Sequence, residues 1–231
     1  MKHVLYAIVA VILLVGFQAC WDVDEGENVV LYDAMVFVKD NQPNTVFETD
    51  LGDSLRSNNA LWTGATAPYK AGDRLFIRFS IDDTTQSRSN FYPVTVYSYT
   101  EVDMESYFTL WPDSASPFES SPFYSTSIVH VTGDFLNVIA QTYQVYGDSN
   151  SVNLIYHKAF DSMDANGNPS LSLELVHNAA GVYTGYYFSR FYSYDLSNLR
   201  LDFPEADTIK FELKWIESAT GNNRANFVYV P

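Results

Sequence analysis

The stretch RLFIRFSID, residues 74–82, decides the fold class. Leu75, Ile77, Phe79 and Ile81 fall on one side of an extended chain and Arg74, Arg78 and Ser80 on the other, because successive side chains of a strand point to opposite faces. The pattern predicts a strand with one face buried and one in water. TIKFELKWI, residues 208–216, repeats the design, with Ile209, Phe211, Leu213 and Trp215 inward and Lys210, Glu212 and Lys214 outward. Working outward from these two, further strands are expected over 29–39, 94–102, 127–131, 135–146, 152–160, 171–177, 183–194 and 226–230. Turn residues separate them at Gly72-Asp73, Asp82-Asp83, Gly147-Asp148, Asn166-Gly167 and Thr220-Gly221-Asn222. After residue 20 no apolar pattern keeps the helical period for three turns, so the class is all-β.

The alternation is interrupted over 104–125, MESYFTLWPDSASPFESSPFYS, by Pro112, Pro117, Pro122 and a scatter of serines. This composition reads as a linker or covering loop between two domains. The block before it, 29–103, holds about five strands and suits a small closed barrel; the block after it, 126–231, holds about six or seven and suits an antiparallel β-sandwich.

The first twenty residues are of another kind. Lys2 and His3 precede an uncharged apolar run from Val4 to Phe17, the arrangement of an export signal, and the run is too short to favour a permanent membrane span. It ends at Ala19 and Cys20, the one cysteine among 231 residues. A small residue before a cysteine at this place resembles the bacterial lipobox, although Phe17 and Gln18 depart from its strict form. The resemblance implies cleavage after residue 19 and a diacylglycerol on the Cys20 sulfur. An exported chain with one cysteine has no intramolecular disulfide partner, and acylation removes an otherwise reactive thiol. Residues 20–28 then form an acidic tether with Asp22, Asp24, Glu25 and Glu27, which solvates the chain off the bilayer or resembles a surface-export address. The expected location is the outer membrane, facing the periplasm or the cell surface.

All 28 Asp and Glu follow residue 19, against 12 Lys and Arg, since Lys2 belongs to the signal. A charge near −16 repels phosphate backbones and disfavours a nucleic-acid partner. Aromatic residues are abundant, with 17 Tyr and 16 Phe, as strand-built cores favour.

Several segments together resemble the NigD-like lipoproteins. They are DSL at 53–55, AGDRLFIRFSI at 71–81, NLIYHKAF at 153–160, LSLELVHNA at 171–179, YSYDLSNL at 192–199 and the closing FVYVP. The resemblance implies an N-terminal OB-like barrel followed by a C-terminal β-sandwich. It brings no catalytic residues, and its only functional colour is a name drawn from a bacteriocin-associated locus.

Tests for chemistry find no G-x-S-x-G, H-E-x-x-H, P-loop or G-x-G-x-x-G pattern. An EF-hand alignment on Gly167 puts Ser162 where the first Asp belongs and Leu173 where the bidentate Glu belongs, so Asn166-Gly167 reads as a hairpin turn. His130, His157 and His177 lie on separate strands and lack zinc-ligand spacing. No metal or cofactor is expected. Acid pairs such as Asp82 with Asp83, or Asp161 with Asp164, imitate a glycosidase pair only in composition.

What remains is aromatic. In GYYFSRFYSYD one strand face carries Tyr186, Phe188, Arg190, Tyr192 and Tyr194, and the other Tyr187, Ser189, Phe191 and Ser193. The first face is expected to be core; if exposed, it stacks sugars or partner side chains around Arg190. Trp62 and Trp111 are the other candidate partner contacts. The expected function is a non-catalytic, membrane-anchored binding module for a protein or glycan. A bacteriocin immunity or accessory role is the alternative, and an envelope glycan hydrolase stands behind both.

Overall fold

A computed structural model describes residues 29–40, 44–59, 61, 69–82, 91–118, 120–144, 151–164, 167–179 and 186–231. Cys20, the export signal, the acidic tether, Trp62, Asp83, Asn166 and the Gly147-Asp148 turn lie outside the described residues. The chain divides into two compact units, 1–100 and 101–231.

The first unit is a closed five-stranded barrel of β1 (Tyr32–Asp40), β2 (Val46–Thr49), β3 (Ser54–Ser57), β4 (Arg74–Ile81) and β5 (Tyr92–Glu101), in the order β1-β2-β3-β5-β4. The β3–β5 ladder is parallel, while β1 pairs antiparallel with both β2 and β4. This is the Greek-key closure of an OB-like barrel. Leu75, Ile77 and Phe79 of β4 join Val36, Val38, Phe47, Leu55, Val94 and Val96 in its core. The turn before β4 needs Gly72, whose φ of 95° is costly for a residue with a Cβ. Its amide donates to the Val38 carbonyl at 2.8 Å and extends the barrel ladder.

The polar face of β4 departs from expectation. Arg78 is exposed and pairs with Asp33, but Arg74 is 1 % exposed and Ser80 is buried as well. Arg74 makes a two-pronged ion pair with Asp50 in the β2–β3 turn, Nη1–Oδ1 and Nη2–Oδ2 both 2.7 Å, with Phe37 beneath the guanidinium at 4.5 Å. A buried charge is tolerable only when paired in this way. Alternation located the strand correctly and misplaced this side chain, because its partner lies 24 residues away.

The second unit has two sheets. One has the order β6-β13-β9-β8, built from β6 (Asp103–Ser106), β8 (Ser125–Thr132), β9 (Phe135–Gln144) and β13 (Tyr186–Asp195). The other has the order β15-β14-β12-β10-β7, from β7 (Phe108–Leu110), β10 (Ser151–His157), β12 (Pro169–Asn178), β14 (Ile209–Glu217) and β15 (Gly221–Tyr229), with β11 (Ser162–Met163) on β12. One short helix, α1 (Ser197–Asp202), buries Leu199. Between the sheets lies a core that includes Leu136, Val138, Leu154, Tyr156, Leu173, Tyr192, Tyr194, Ile209, Phe211 and Leu213. Ile209, Phe211 and Leu213 are the inward positions read from 208–216.

The segment expected as a linker is part of this sandwich. β6 runs parallel to β13 and β7 parallel to β10, and Tyr107 between them packs against the core where the chain passes from one sheet to the other. Further on, Ser121 bridges to His177 and Phe123 to Glu217, inserting between the ends of β12 and β14. Proline and serine marked irregular backbone; the partners that turn it into sheet are non-local. With β12–β14 also parallel, the sandwich is mixed rather than wholly antiparallel.

Candidate functional site

Strand β13 changes environment along its length. Tyr192, Ser193 and Tyr194 are buried on both faces, whereas Tyr186, Tyr187 and Phe188 are 82 %, 51 % and 52 % exposed. Tyr194 donates a hydrogen bond to the Val152 carbonyl at 3.0 Å, and burial raises its hydroxyl pKa well above the ordinary value. Tyr192 is likewise core, its pKa pushed up to about 12 mainly by burial. Tyr192 is therefore removed from the candidate contacts, because the opposing sheet covers it. Arg190 is half-buried and hydrogen bonds to Tyr192. Tyr186 stays a surface contact.

The residues that sequence reasoning missed are on the outer face of the same sheet end. Tyr187 stands opposite Tyr143 of β9, and Tyr124, just before β8, stacks on Tyr187 with ring centres 4.2 Å apart and planes within 8°. Tyr143 meets both rings edge-on, at 5.7 and 6.1 Å. The hydrogen bond between the Tyr124 and Tyr187 side chains raises the Tyr124 pKa. The next register row is polar: Ser125, Gln141 and Ser189 align across β8, β9 and β13. The Ser125 hydroxyl donates to Gln141 Oε1 at 2.8 Å and Gln141 Nε2 donates to the Ser189 hydroxyl at 3.2 Å. An aromatic row and an amide–hydroxyl row thus lie side by side at the ends of β9 and β13, with Tyr124 and Ser125 contributed from the start of β8. No charged side chain belongs to either row. Sequence pattern shows which residues share a strand face but not which strands are neighbours, so the rows were not legible.

A second aromatic group surrounds Lys158, in the turn after β10. Its ammonium lies 5.3 Å from the Tyr156 ring centre, 5.7 Å from Trp111 and 5.8 Å from Phe203, and 3.4 Å from an Asp202 carboxylate oxygen. Trp111 is 59 % exposed, as a surface contact requires. Beneath it the Tyr156 hydroxyl donates to Asp161 at 2.6 Å. Burial is the main cause of the raised Asp161 pKa and of the Tyr107 pKa of about 12. The cation is already satisfied within the chain, which makes this corner a packed structural joint with one open ring.

The three histidines have separate surroundings. His157 pairs with Glu174 at 2.8 Å, and His130 lies 3.5 Å from Asn137 Nδ2. His177 is 1 % exposed, stacks on Phe123 and lies 3.3 Å from the Pro122 carbonyl through Nδ1. Its Nε2 is buried with no hydrogen-bond partner among the described residues, and burial lowers its pKa. No group of three His, Cys, Asp or Glu able to hold a metal occurs among the described residues. At the Gly167 turn the Gly167 amide donates to the Asp164 carbonyl at 3.0 Å, φ is 83°, and Asp164 pairs with Lys210; β11 and β12 form the hairpin read there.

Fold and site together define an all-β protein in which an OB-like barrel precedes a two-sheet sandwich. Residues 122–228 match the family model of the NigD-like C-terminal beta sandwich domain. Among solved structures, a protein of unknown function DUF1344 from Bacteroides vulgatus is similar over 87 % of this chain and 92 % of its own, with 19 % identity and a TM-score of 0.69. A NigD-like immunity protein from Bacteroides caccae is similar over 89 % and 99 %, with 15 % identity and a TM-score of 0.58. A candidate lipoprotein from Bacteroides fragilis is similar over 87 % and 96 %, with 13 % identity and a TM-score of 0.57. At these identities the likeness carries the fold alone. No curated protein matches the sequence.

Proposed function

We propose that the protein is a lipid-anchored, non-catalytic binding protein of the bacterial envelope, held by an acylated Cys20 and engaging a protein or glycan through the aromatic end of the β8–β9–β13 sheet. The observation that carries the binding reading is the exposure of Tyr186, Tyr187 and Phe188 on consecutive positions of a strand whose other half is core. Large aromatic side chains left in water together mark recognition surfaces, since hiding them in a partner is favourable. The likeness to a candidate lipoprotein supports the anchor. Outer-membrane placement follows from the lipobox resemblance, and the acidic tether is the address that would bring the molecule to the surface. Affinity capture from native membranes tests the binding reading. The wild type is expected to retain a partner that Tyr186→Ser/Tyr187→Ser/Phe188→Ser loses, and equal capture by both would overturn it. In the same cells Cys20→Ala is expected to move the protein to the soluble fraction.

The likeness to a NigD-like immunity protein supports a second reading, protection against a secreted bacteriocin. Survival of a sensitive strain that expresses the protein, under bacteriocin challenge, separates the two.

A further inference from the structure

We infer that the outer-face rows formed by Tyr124, Tyr143 and Tyr187 with Ser125, Gln141 and Ser189 are a binding site for an uncharged glycan. This rests on the binding reading above and assigns its ligand class. A pyranose offers an apolar C–H face and a rim of hydroxyls, so its receptor needs a flat ring face with neutral donors and acceptors beside it. The aromatic row supplies the first, because the Tyr124–Tyr187 stack, centres 4.2 Å apart, is locked by edge contacts from Tyr143 and loses little side-chain freedom on binding. The polar row supplies the second. Ser125, Gln141 and Ser189 are prearranged in one hydrogen-bonded line, at 2.8 and 3.2 Å. Residues two apart on one strand face are separated by roughly 7 Å, so a sugar seated on a tyrosine reaches the next row with its hydroxyls.

Charge decides between neutral and acidic glycans. The rows hold no cation to pair with a uronate or sulfate, and the chain carries a formal net charge of −15, which repels both. A protein partner fits less well, since the polar row presents neutral hydroxyl and amide groups suited to a rim of sugar hydroxyls rather than to an apolar anchoring side chain.

The test uses the full-length, detergent-solubilised protein and calorimetric titration with maltohexaose, cellohexaose, mannohexaose, xylohexaose and, as the acidic probe, hexagalacturonate. At least one neutral oligosaccharide is expected to bind, with hexagalacturonate at least about tenfold weaker. Tyr187→Ala and Gln141→Leu should each weaken binding about tenfold or more, Tyr187→Phe should retain it because the ring remains, and Leu201→Ala, exposed on α1, should leave it unchanged. Matching thermal melts of the variants exclude unfolding as the cause. Absence of binding by every neutral probe, preference for hexagalacturonate, or indifference to Tyr187→Ala and Gln141→Leu would each overturn the assignment. Should the neutral probes fail while the triple serine variant still loses its native partner, the glycan assignment falls and the binding reading stands.

Discussion

The start of β4 and the start of β13 break strand alternation in opposite directions. At β4 a charged residue expected in water, Arg74, is buried with Asp50. At β13 aromatic residues expected in core, Tyr186 and Phe188, are exposed. The first departure is closed within the chain, since the guanidinium has its carboxylate and a ring beneath it. The second has no such closure. A buried polar group must be satisfied internally because desolvation costs several kcal/mol otherwise, whereas an exposed ring costs little and waits for a partner. The difference distinguishes a fold-making exception from a candidate recognition surface.

Removing one member of the β4 pair should give the largest effect. Arg74→Ala leaves the Asp50 carboxylate buried and uncompensated and should destabilise the barrel by about 3–5 kcal/mol, read by urea unfolding. The double change Arg74→Met/Asp50→Leu should recover most of that loss, because an apolar pair carries no desolvation penalty. If both variants are equally unstable, the pair is not what closes the barrel end.

Within β13 the two ends should respond unequally. Tyr194→Ala removes a fully buried ring and its bond to the Val152 carbonyl and should cost about 3–5 kcal/mol. Tyr186→Ala should change stability by less than about 0.5 kcal/mol. Comparable losses at the two positions would mean that the exposed end is part of the folded core after all.

A pH-dependent effect concerns His177, which pins the inserted 121–123 segment. Among the described residues, His177 on β12 and Glu217 at the end of β14 bridge to that segment. Burial raises the Glu217 pKa, but hydrogen bonds from Thr126, Trp215 and Thr220 outweigh it and leave the pKa lowered. Because burial lowers the His177 pKa in the folded state, the unfolded chain binds the proton more readily. The stability this contributes is fully present above the unfolded value near 6.5 and is lost as pH falls toward the lowered folded value, at no more than about 1.4 kcal/mol per pH unit. His177→Phe should flatten that slope in denaturant titrations across pH 5 to 7. Glu217 contributes in a lower window, its stabilisation present above the unfolded carboxylate value and lost as pH falls through the depressed folded one.

Much of the fold was legible because alternation is local. The core positions of β4 and β14, the turns at Gly72 and Gly167, and the paucity of helix follow from side-chain period and backbone freedom. The site was legible only in part. Tyr186 and Trp111 were named as candidate contacts and are exposed, although the face of Tyr186 was expected to be core; Tyr192 was grouped with them because a shared face says nothing about how far the opposing sheet reaches. Tyr124, Tyr143 and Gln141 escaped notice because their neighbours are set by register between distant strands, Gln141 meeting Ser189 48 residues on and Tyr124 meeting Tyr187 63 residues on. The 104–125 segment was misjudged for the same reason, since parallel pairing leaves no local signature.

By itself the sequence determined that this is a strand-built chain with an uncharged apolar run ahead of Cys20, because period, turn chemistry and hydropathy are properties of neighbouring residues. Only the tertiary structure decided that Arg74 is inside, that Tyr187 and Gln141 stand in adjacent rows, and that a proline-rich stretch completes the sandwich. Burial and register depend on which distant segment comes to lie against each strand, and that is fixed when the sheets assemble.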